Sequence, residues 1–141
     1  MISLRNDNGS ATVEFIALSV ILLIPALYLL VTISQLQAAG YASVAASDQA
    51  AKTIAYTDTD AQAESRAIRT VHLTAVNYQL NPATTDTTIH CTNNPCSTPG
   101  TQITVNVSID VPLPLIPTFL GNQTRIATMD ATGYHVIGEF E

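Results

Sequence analysis

The sequence predicts an α+β fold: a long N-terminal helix whose first half spans a membrane, and a second, amphipathic helix packed on a small antiparallel β-sheet. Three observations predict this arrangement. Residues 15–33 are apolar and uncharged, residues 61–80 place apolar side chains at helical spacing, and residues 102–111 alternate strictly between apolar and polar. Outside the apolar run, about a hundred residues remain, which is enough for one small domain.

The first helix is predicted to run from Ser10 to Tyr56. Its apolar run, residues 15–33, would be about 28 Å long as a helix, which matches a hydrocarbon core of about 30 Å. Ser19 and Thr32 can return their hydroxyls to backbone carbonyls. Pro25 is tolerated in a membrane helix and favours a kink there. The sequence therefore predicts a transmembrane segment at residues 15–33.

The same helix is expected to continue beyond the membrane, because the following stretch is rich in alanine and contains no proline. A stripe of small residues at three- and four-residue steps would let another helix come close. The stripe consists of Ala39, Ala42, Ala46 and Ala50. Arg5 precedes the apolar run, and the next cation is Lys52. The positive-inside rule thus predicts a cytoplasmic N-terminus and an extracytoplasmic remainder.

A polar break, residues 57–60, separates the two helices, and Asp60 is predicted to be the N-cap of the second. The second helix is predicted from Ala61 to Leu80, and Asn81-Pro82 would end it. Its buried face is predicted to comprise Glu64, Ile68, Val71, Ala75 and Tyr78.

The last third of the chain changes to a period of two. Gln102 to Val111 is the clearest strand, with five β-branched apolar residues on one face. Thr87 to Cys91 and Thr124 to Ala131 are weaker strands that could flank it. These segments predict a small antiparallel sheet with one buried face.

Composition excludes some classes of function. The chain has a net charge of −6 and only five Lys and Arg residues, which argues against a nucleic-acid surface. The sequence contains no Gly-x-Ser-x-Gly, no glycine-rich phosphate loop and no His-Glu-x-x-His. We therefore predict a protein that is not an enzyme, carries no cofactor and does not bind nucleic acid.

Cys91 and Cys96 are best interpreted as a local disulfide that closes a tight loop in an oxidising compartment. A zinc site would need four ligands, and only His90 lies near the pair, with His72 and His135 distant in sequence. A redox pair is disfavoured because the spacing is not Cys-x-x-Cys. The histidines are interpreted as ordinary surface or helix residues.

A proline-rich apolar segment, residues 112–120, follows the central strand. It is too apolar for a fully solvated loop, so it is predicted to cover the sheet or to contact another subunit. The apolar side chains of that possible subunit contact are Leu113, Leu115, Ile116, Phe119 and Leu120.

Glu14 is a lone carboxylate at the start of the apolar run, where a charge is costly. One interpretation is that it complements the helix N-terminal dipole. The other requires the glycine as well: a cut between Gly9 and Ser10 would create an amine at Ser10 and make Glu14 the fifth residue of the mature chain. The amine and the carboxylate could then neutralise each other between neighbouring subunits.

The N-terminal stretch resembles the processing site of type IV prepilins. It has Gly9 followed by a small residue, then Glu14, Phe15 and an apolar helix. The variant Ala-Thr-Val-Glu-Phe on so short a chain is closest to the TadE-like minor pilins, or pseudopilins, of tight-adherence (Flp-type) pili. The resemblance implies cleavage between Gly9 and Ser10 by a prepilin peptidase, with Glu14 and Phe15 as the assembly motif. It also implies contacts with other pilins, the pilus assembly platform and membrane lipid.

This interpretation divides the chain into a prepilin-type leader at 1–9, a long helix at 10–56 and an extracytoplasmic α+β domain at 57–141. The function it implies is a structural or priming subunit in pilus assembly, held in the cytoplasmic membrane before incorporation. Two alternatives remain: a secretory signal peptide cut near Ala39, and a signal anchor on a binding domain outside any pilus.

Overall fold

The structure is a computed structural model that describes residues 10–57, 59–112 and 125–138. Within these ranges the chain forms two helices followed by a three-stranded antiparallel sheet in the order β1-β2-β3. The predicted α+β fold is confirmed. The elements are α1 (Ser10–Ala55), α2 (Asp60–Asn77), a 3₁₀ turn (Pro82–Thr84), β1 (Thr85–Cys91), β2 (Gln102–Pro112) and β3 (Arg125–Val136).

Helix α1 contains 46 residues and continues through Pro25. Two hydroxyls in its first half donate to the carbonyl four residues earlier, as predicted. Ser19 Oγ lies 2.8 Å from the Phe15 carbonyl oxygen, and Thr32 Oγ1 lies 2.8 Å from that of Tyr28. Both polar groups are therefore satisfied without a partner outside the helix.

The second half of α1 forms the centre of the domain, where it contacts α2, β2 and β3. The predicted small-residue stripe is fully buried and packs within the same chain. Because alanine and serine side chains are short, the helix can approach both neighbours closely. The buried stripe comprises Ala39, Ala42, Ser43, Ala46, Ser47 and Ala50.

Helix α2 differs from the prediction at its start and on its buried face. Asp60 is the first helical residue rather than the N-cap, which is Thr59, and Thr59 makes no side-chain capping bond. Glu64 and Tyr78 are exposed and Ile68 is half-buried, so the predicted face was wrong at these positions. The buried residues are Ala63, Ala67, Val71, Thr74 and Ala75.

The physical reason for the rotated face is the closeness of the helix pair. Alanine-rich α1 faces the small side chains of Ala63 and Ala67, which are buried, and this pairing of small residues lets the two helices come close. The carboxylate of Glu64 stays at the surface because burying it without a partner would be costly.

Helix α2 ends at Asn77, earlier than the predicted Leu80. The end is a Schellman motif: the Leu80 N–H donates to the Ala75 carbonyl at 2.9 Å, and the Gln79 N–H donates to the Val76 carbonyl at 2.9 Å. Gln79 has a φ of 60°, a left-handed conformation that usually selects glycine. Helix termination therefore comes from backbone geometry before the Asn81-Pro82 pair is reached.

Strand β2 is the centre of the sheet and has the predicted alternation. Its five inward-facing residues, Ile103, Val105, Val107, Ile109 and Val111, are at most 1 % exposed. Strand β1 begins two residues earlier than predicted, at Thr85. Strand β3 extends to Val136, past the predicted end at Ala131.

Two contacts fix the direction of the sheet relative to α1. The backbone of Gly133 abuts that of Ser47, and the rings of His135 and Tyr56 lie 5.9 Å apart, centroid to centroid. Strand β3 therefore runs in the same sense as α1. The end of the sheet that carries the disulfide lies farthest from the apolar run, and the paired strand ends at Pro112 and Arg125 lie nearest to it.

Candidate assembly site

The first half of α1 projects from the domain without cover. Residues 11–27 are all exposed, and Phe15, next to the lone carboxylate, is 70 % exposed. Leu36 is the first hydrophobic residue of α1 that packs against the core. The helix is long and apolar enough to cross a membrane, and the domain buries none of the residues in its most apolar stretch. An apolar surface of this size requires lipid or other protein around it.

Glu14 lies at the fifth position of α1 as the structure describes it. The helix begins at Ser10, and its first turn contains no acidic residue. Because the dipole effect falls off within the first turn, the dipole gives Glu14 little stabilisation. Ser10 and Glu14 are four residues apart and so lie on the same side of the helix, one turn from each other.

Glu14 is exposed, and among the residues described it makes no hydrogen bond or ion pair. Its carboxylate is thus available to a partner. Of the predicted cleavage pair, Gly9 lies outside the described residues. The possible subunit contact also lies outside them, at Leu113, Leu115, Ile116, Phe119 and Leu120.

Cys91 and Cys96 form a disulfide with their Cα atoms 5.5 Å apart. It closes the loop that leaves β1, and the Thr92 N–H donates to the Gln102 carbonyl at 3.1 Å beside it. His90 is exposed on β1. In the ranges that the structure covers, no three His, Cys, Asp or Glu residues are grouped in a way that could hold a metal ion.

Sequence reasoning missed a groove between α2 and the edge strand β1. Its volume is about 390 Å³, and its walls are mostly apolar, with the carboxylate of Glu64 as the charged group. A weak signal is present in the sequence, because the helical spacing places Ile68 and Glu64 on the same face of α2. The lining residues are Ile54, Ala63, Glu64, Ile68, Thr87, Thr88, Ile89, Cys91 and Cys96.

Gly133 is a second position that the sequence analysis did not single out. A Cβ atom there would lie 2.7 Å from the Asp48 backbone nitrogen and still closer to the Ser47 carbonyl group. Glycine inside a strand often marks such a close approach of two backbones, so a signal was present. This contact joins the sheet to the second, buried half of α1.

Strands β2 and β3 are joined near their connection by a charged network around Asp110. Arg125 Nη1 lies 2.9 Å from one carboxylate oxygen, and Thr128 Oγ1 donates to the other at 2.7 Å. The Thr128 hydrogen bond, followed by Arg125, lowers the pKa of Asp110 below its usual value. The network fixes the sheet at the end nearest the apolar run.

Comparison of the chain with protein-family models, with curated proteins and with solved structures finds no match. The function is therefore argued from the geometry of this chain.

Proposed function

We propose that the chain is a minor pilin or pseudopilin, a structural or priming subunit of a type IV pilus of the tight-adherence (Flp) type. In this proposal a prepilin peptidase removes residues 1–9, and α1 remains as the anchor. The observation that carries the proposal is the bare apolar half of α1, with one carboxylate, Glu14, a single turn from the new N-terminus at Ser10.

The position of Glu14 supports an assembly role over a local one. Its side chain has no partner among the described residues, and the helix dipole gives it little stabilisation. After cleavage, the amine at Ser10 and the Glu14 carboxylate would lie on one side of α1. Neighbouring copies could then neutralise both charges at a depth where unpaired charges are costly.

The packing of α1 argues against an exported domain released by a cut near Ala39. Ala39 is fully buried and lies within an unbroken helix, so a cut near it would place a new charged terminus in the packed interior. The disulfide fits an extracytoplasmic location of the domain, where oxidising conditions preserve it. Together these features support an anchored subunit with its N-terminus in the cytoplasm.

A second candidate function is a membrane-anchored binding domain outside any pilus. The groove between α2 and β1 favours it, because its volume of about 390 Å³ falls within the range of small-ligand sites. The two candidates differ in whether Glu14 matters, since a simple anchor has no need of a carboxylate there.

The test is a pair of matched carboxylate-to-amide variants in cells that assemble the pilus. Glu14→Gln should insert into the membrane at wild-type level, while its recovery in sheared pili falls about tenfold or more because the pairing charge is lost. Glu64→Gln makes the same chemical change on the exposed surface of α2 and should assemble normally.

Wild-type recovery of Glu14→Gln in pili would contradict the proposed role of this carboxylate. Loss of assembly by both variants would show that the effect is not specific to the membrane segment, and it would equally count against the proposal.

A further inference from the structure

Helix α2 carries a basic outer surface. Arg66 and Arg69 are exposed, and no carboxylate among the described residues lies within ion-pair distance of either. The other described cations are paired within the domain, Lys52 with Asp48 and Arg125 with Asp110. Arg69 lies on the side of α2 opposite the buried alanines, next to exposed Ser65.

The outer face of the sheet carries the opposite sign. Asp86 on β1 and Asp130 on β3 lie in one row across the sheet, on either side of Ser108. Both aspartates are exposed, and within the described ranges neither has a cationic partner. The Asp86 carboxylate accepts only the N–H of Thr87. Helix α1 packs on the other face of the sheet, and α2 packs mainly on α1 and touches the sheet at the edge strand β1, so the acidic row and the basic surface are on different sides of the domain.

We propose that these two surfaces bind each other in neighbouring copies of this chain, the basic surface of one copy (Arg66, Arg69) against the acidic row of the next (Asp86, Asp130). Contacts between two like surfaces would bring like charges together and are disfavoured. A contact between two different surfaces leaves one of each free at the ends, so it continues into an open array. The proposal rests on the proposed function only in assuming that copies meet in an array outside the plane of a bilayer, where their apolar helices cover one another.

The fold also predicts a displacement between neighbours. Thr53 and Thr70 are in contact at 3.4 Å, which places Arg69 near the level of Ile54 on α1. Asp130 lies three residues nearer the apolar run than Gly133, which abuts Ser47. Pairing Arg69 with Asp130 therefore shifts the copy that supplies Asp130 outward along α1 by roughly 20 Å.

The experiment is cysteine crosslinking of the full chain in detergent micelles, which do not hold the copies at one depth, with two differently tagged copies. One copy carries Ser65→Cys beside Arg69, and the other carries Thr132→Cys beside Asp130; both positions are exposed. We expect crosslinks between positions 65 and 132 to exceed the 65–65 and 132–132 products at least about threefold. A predominance of either symmetric product would overturn the proposal.

Charge reversal gives the second arm. The double variant Arg66→Glu, Arg69→Glu should lower the 65–132 crosslink about three- to tenfold, the size expected when two exposed ion pairs are lost. The double variant Asp86→Lys, Asp130→Lys, used alone, should lower the 65–132 crosslink by a similar factor. Mixing the two double variants should restore the crosslink, because opposite charges then face each other again. Lys52→Glu reverses a charge outside both surfaces and should leave the 65–132 crosslink unchanged. If the Arg66→Glu, Arg69→Glu variant also leaves this crosslink unchanged, the proposal is overturned.

This outcome is separable from that of the proposed function. A chain that forms the 65–132 crosslink yet keeps residues 1–9 in the presence of a prepilin peptidase would refute the pilin proposal and retain the self-contact. A processed chain that enters pili without this crosslink would refute the self-contact alone.

Discussion

Gly133 lies where strand β3 meets the backbone of helix α1, and its replacement by alanine tests the packing that joins the domain to its anchor. An ordinary contact of a Cβ atom is 3.4–4 Å, whereas a Cβ at this position would lie 2.7 Å from the Asp48 nitrogen and closer to the Ser47 carbonyl group. The strand and the helix would have to separate by at least about 0.7 Å. Backbone atoms cannot rotate away as a side chain can.

The expected cost follows from this geometry. Adding a methyl group to a well-packed core usually costs about 1–3 kcal/mol, and a clash with backbone on both sides belongs at or above the upper end. We expect Gly133→Ala to lower the free energy of unfolding by about 3 kcal/mol or more. For a domain of this size, that corresponds to a fall in Tm of more than about 10 °C.

The assay is thermal unfolding of the full chain in detergent, followed by circular dichroism. Gly40→Ala is the matched control, because it adds the same methyl group to α1 where nothing lies within 4 Å. Alanine is the better helix former, so this control should gain about 0.5–1 kcal/mol. If Gly133→Ala unfolds within about 0.5 kcal/mol of the wild type, the close approach of β3 to α1 is refuted.

Three further predictions concern the stability of the domain. Gln79→Gly should stabilise the domain by about 1 kcal/mol, because glycine adopts the positive φ of the helix end without strain, whereas Gln79→Val should destabilise it; equal stability of the two variants would contradict the assignment. Replacing Cys91 and Cys96 by serine together should cost about 2 kcal/mol from the entropy of a short closed loop, and reduction of the wild type should give the same loss. Asp110 has a lowered pKa in the folded state, so its contribution is present above the unfolded value of 3.8 and is lost as pH falls through the folded value. Asp110→Asn should therefore lower the urea midpoint at pH 7 and flatten its fall between pH 4 and 2; an unchanged pH profile would show that the Asp110–Arg125 pair does not act on stability.

Much of the fold follows from local pattern. The alternation of Gln102 to Val111 predicts both the strand and its buried face, because side-chain direction in a strand repeats every two residues. The apolar run at 15–33 predicts an uncovered helix for the same kind of reason: length and hydropathy are properties of the segment itself.

The remaining features depend on distant partners. The buried face of α2 carries Ala63 and Ala67, whose small side chains let the two helices come close, while Ile68 lies at the edge of this contact. The end of α2 depends on a left-handed Gln79, a residue that carries no sequence signal for that conformation. The length of β3 comes from pairing along the whole of β2, as far as Val136 opposite Gln102, and local propensity does not report it.

The candidate assembly site was predictable in part. The spacing of Gly9, Ser10 and Glu14 is a sequence property, and the structure adds that the chain is helical from Ser10 onward, with Glu14 at the fifth position of the helix as described. The two charged surfaces could not be read from the sequence. Asp86 and Asp130 become neighbours across Ser108 only through strand pairing.

The most direct test of the central claim is the mass of the chain after co-expression with a prepilin peptidase. A pilin subunit should be recovered as a mature chain that begins at Ser10 and has lost residues 1–9, and it should stay intact in cells that lack the peptidase. A chain that still begins at Met1 in the presence of the peptidase, or one that begins near Gly40, would contradict it.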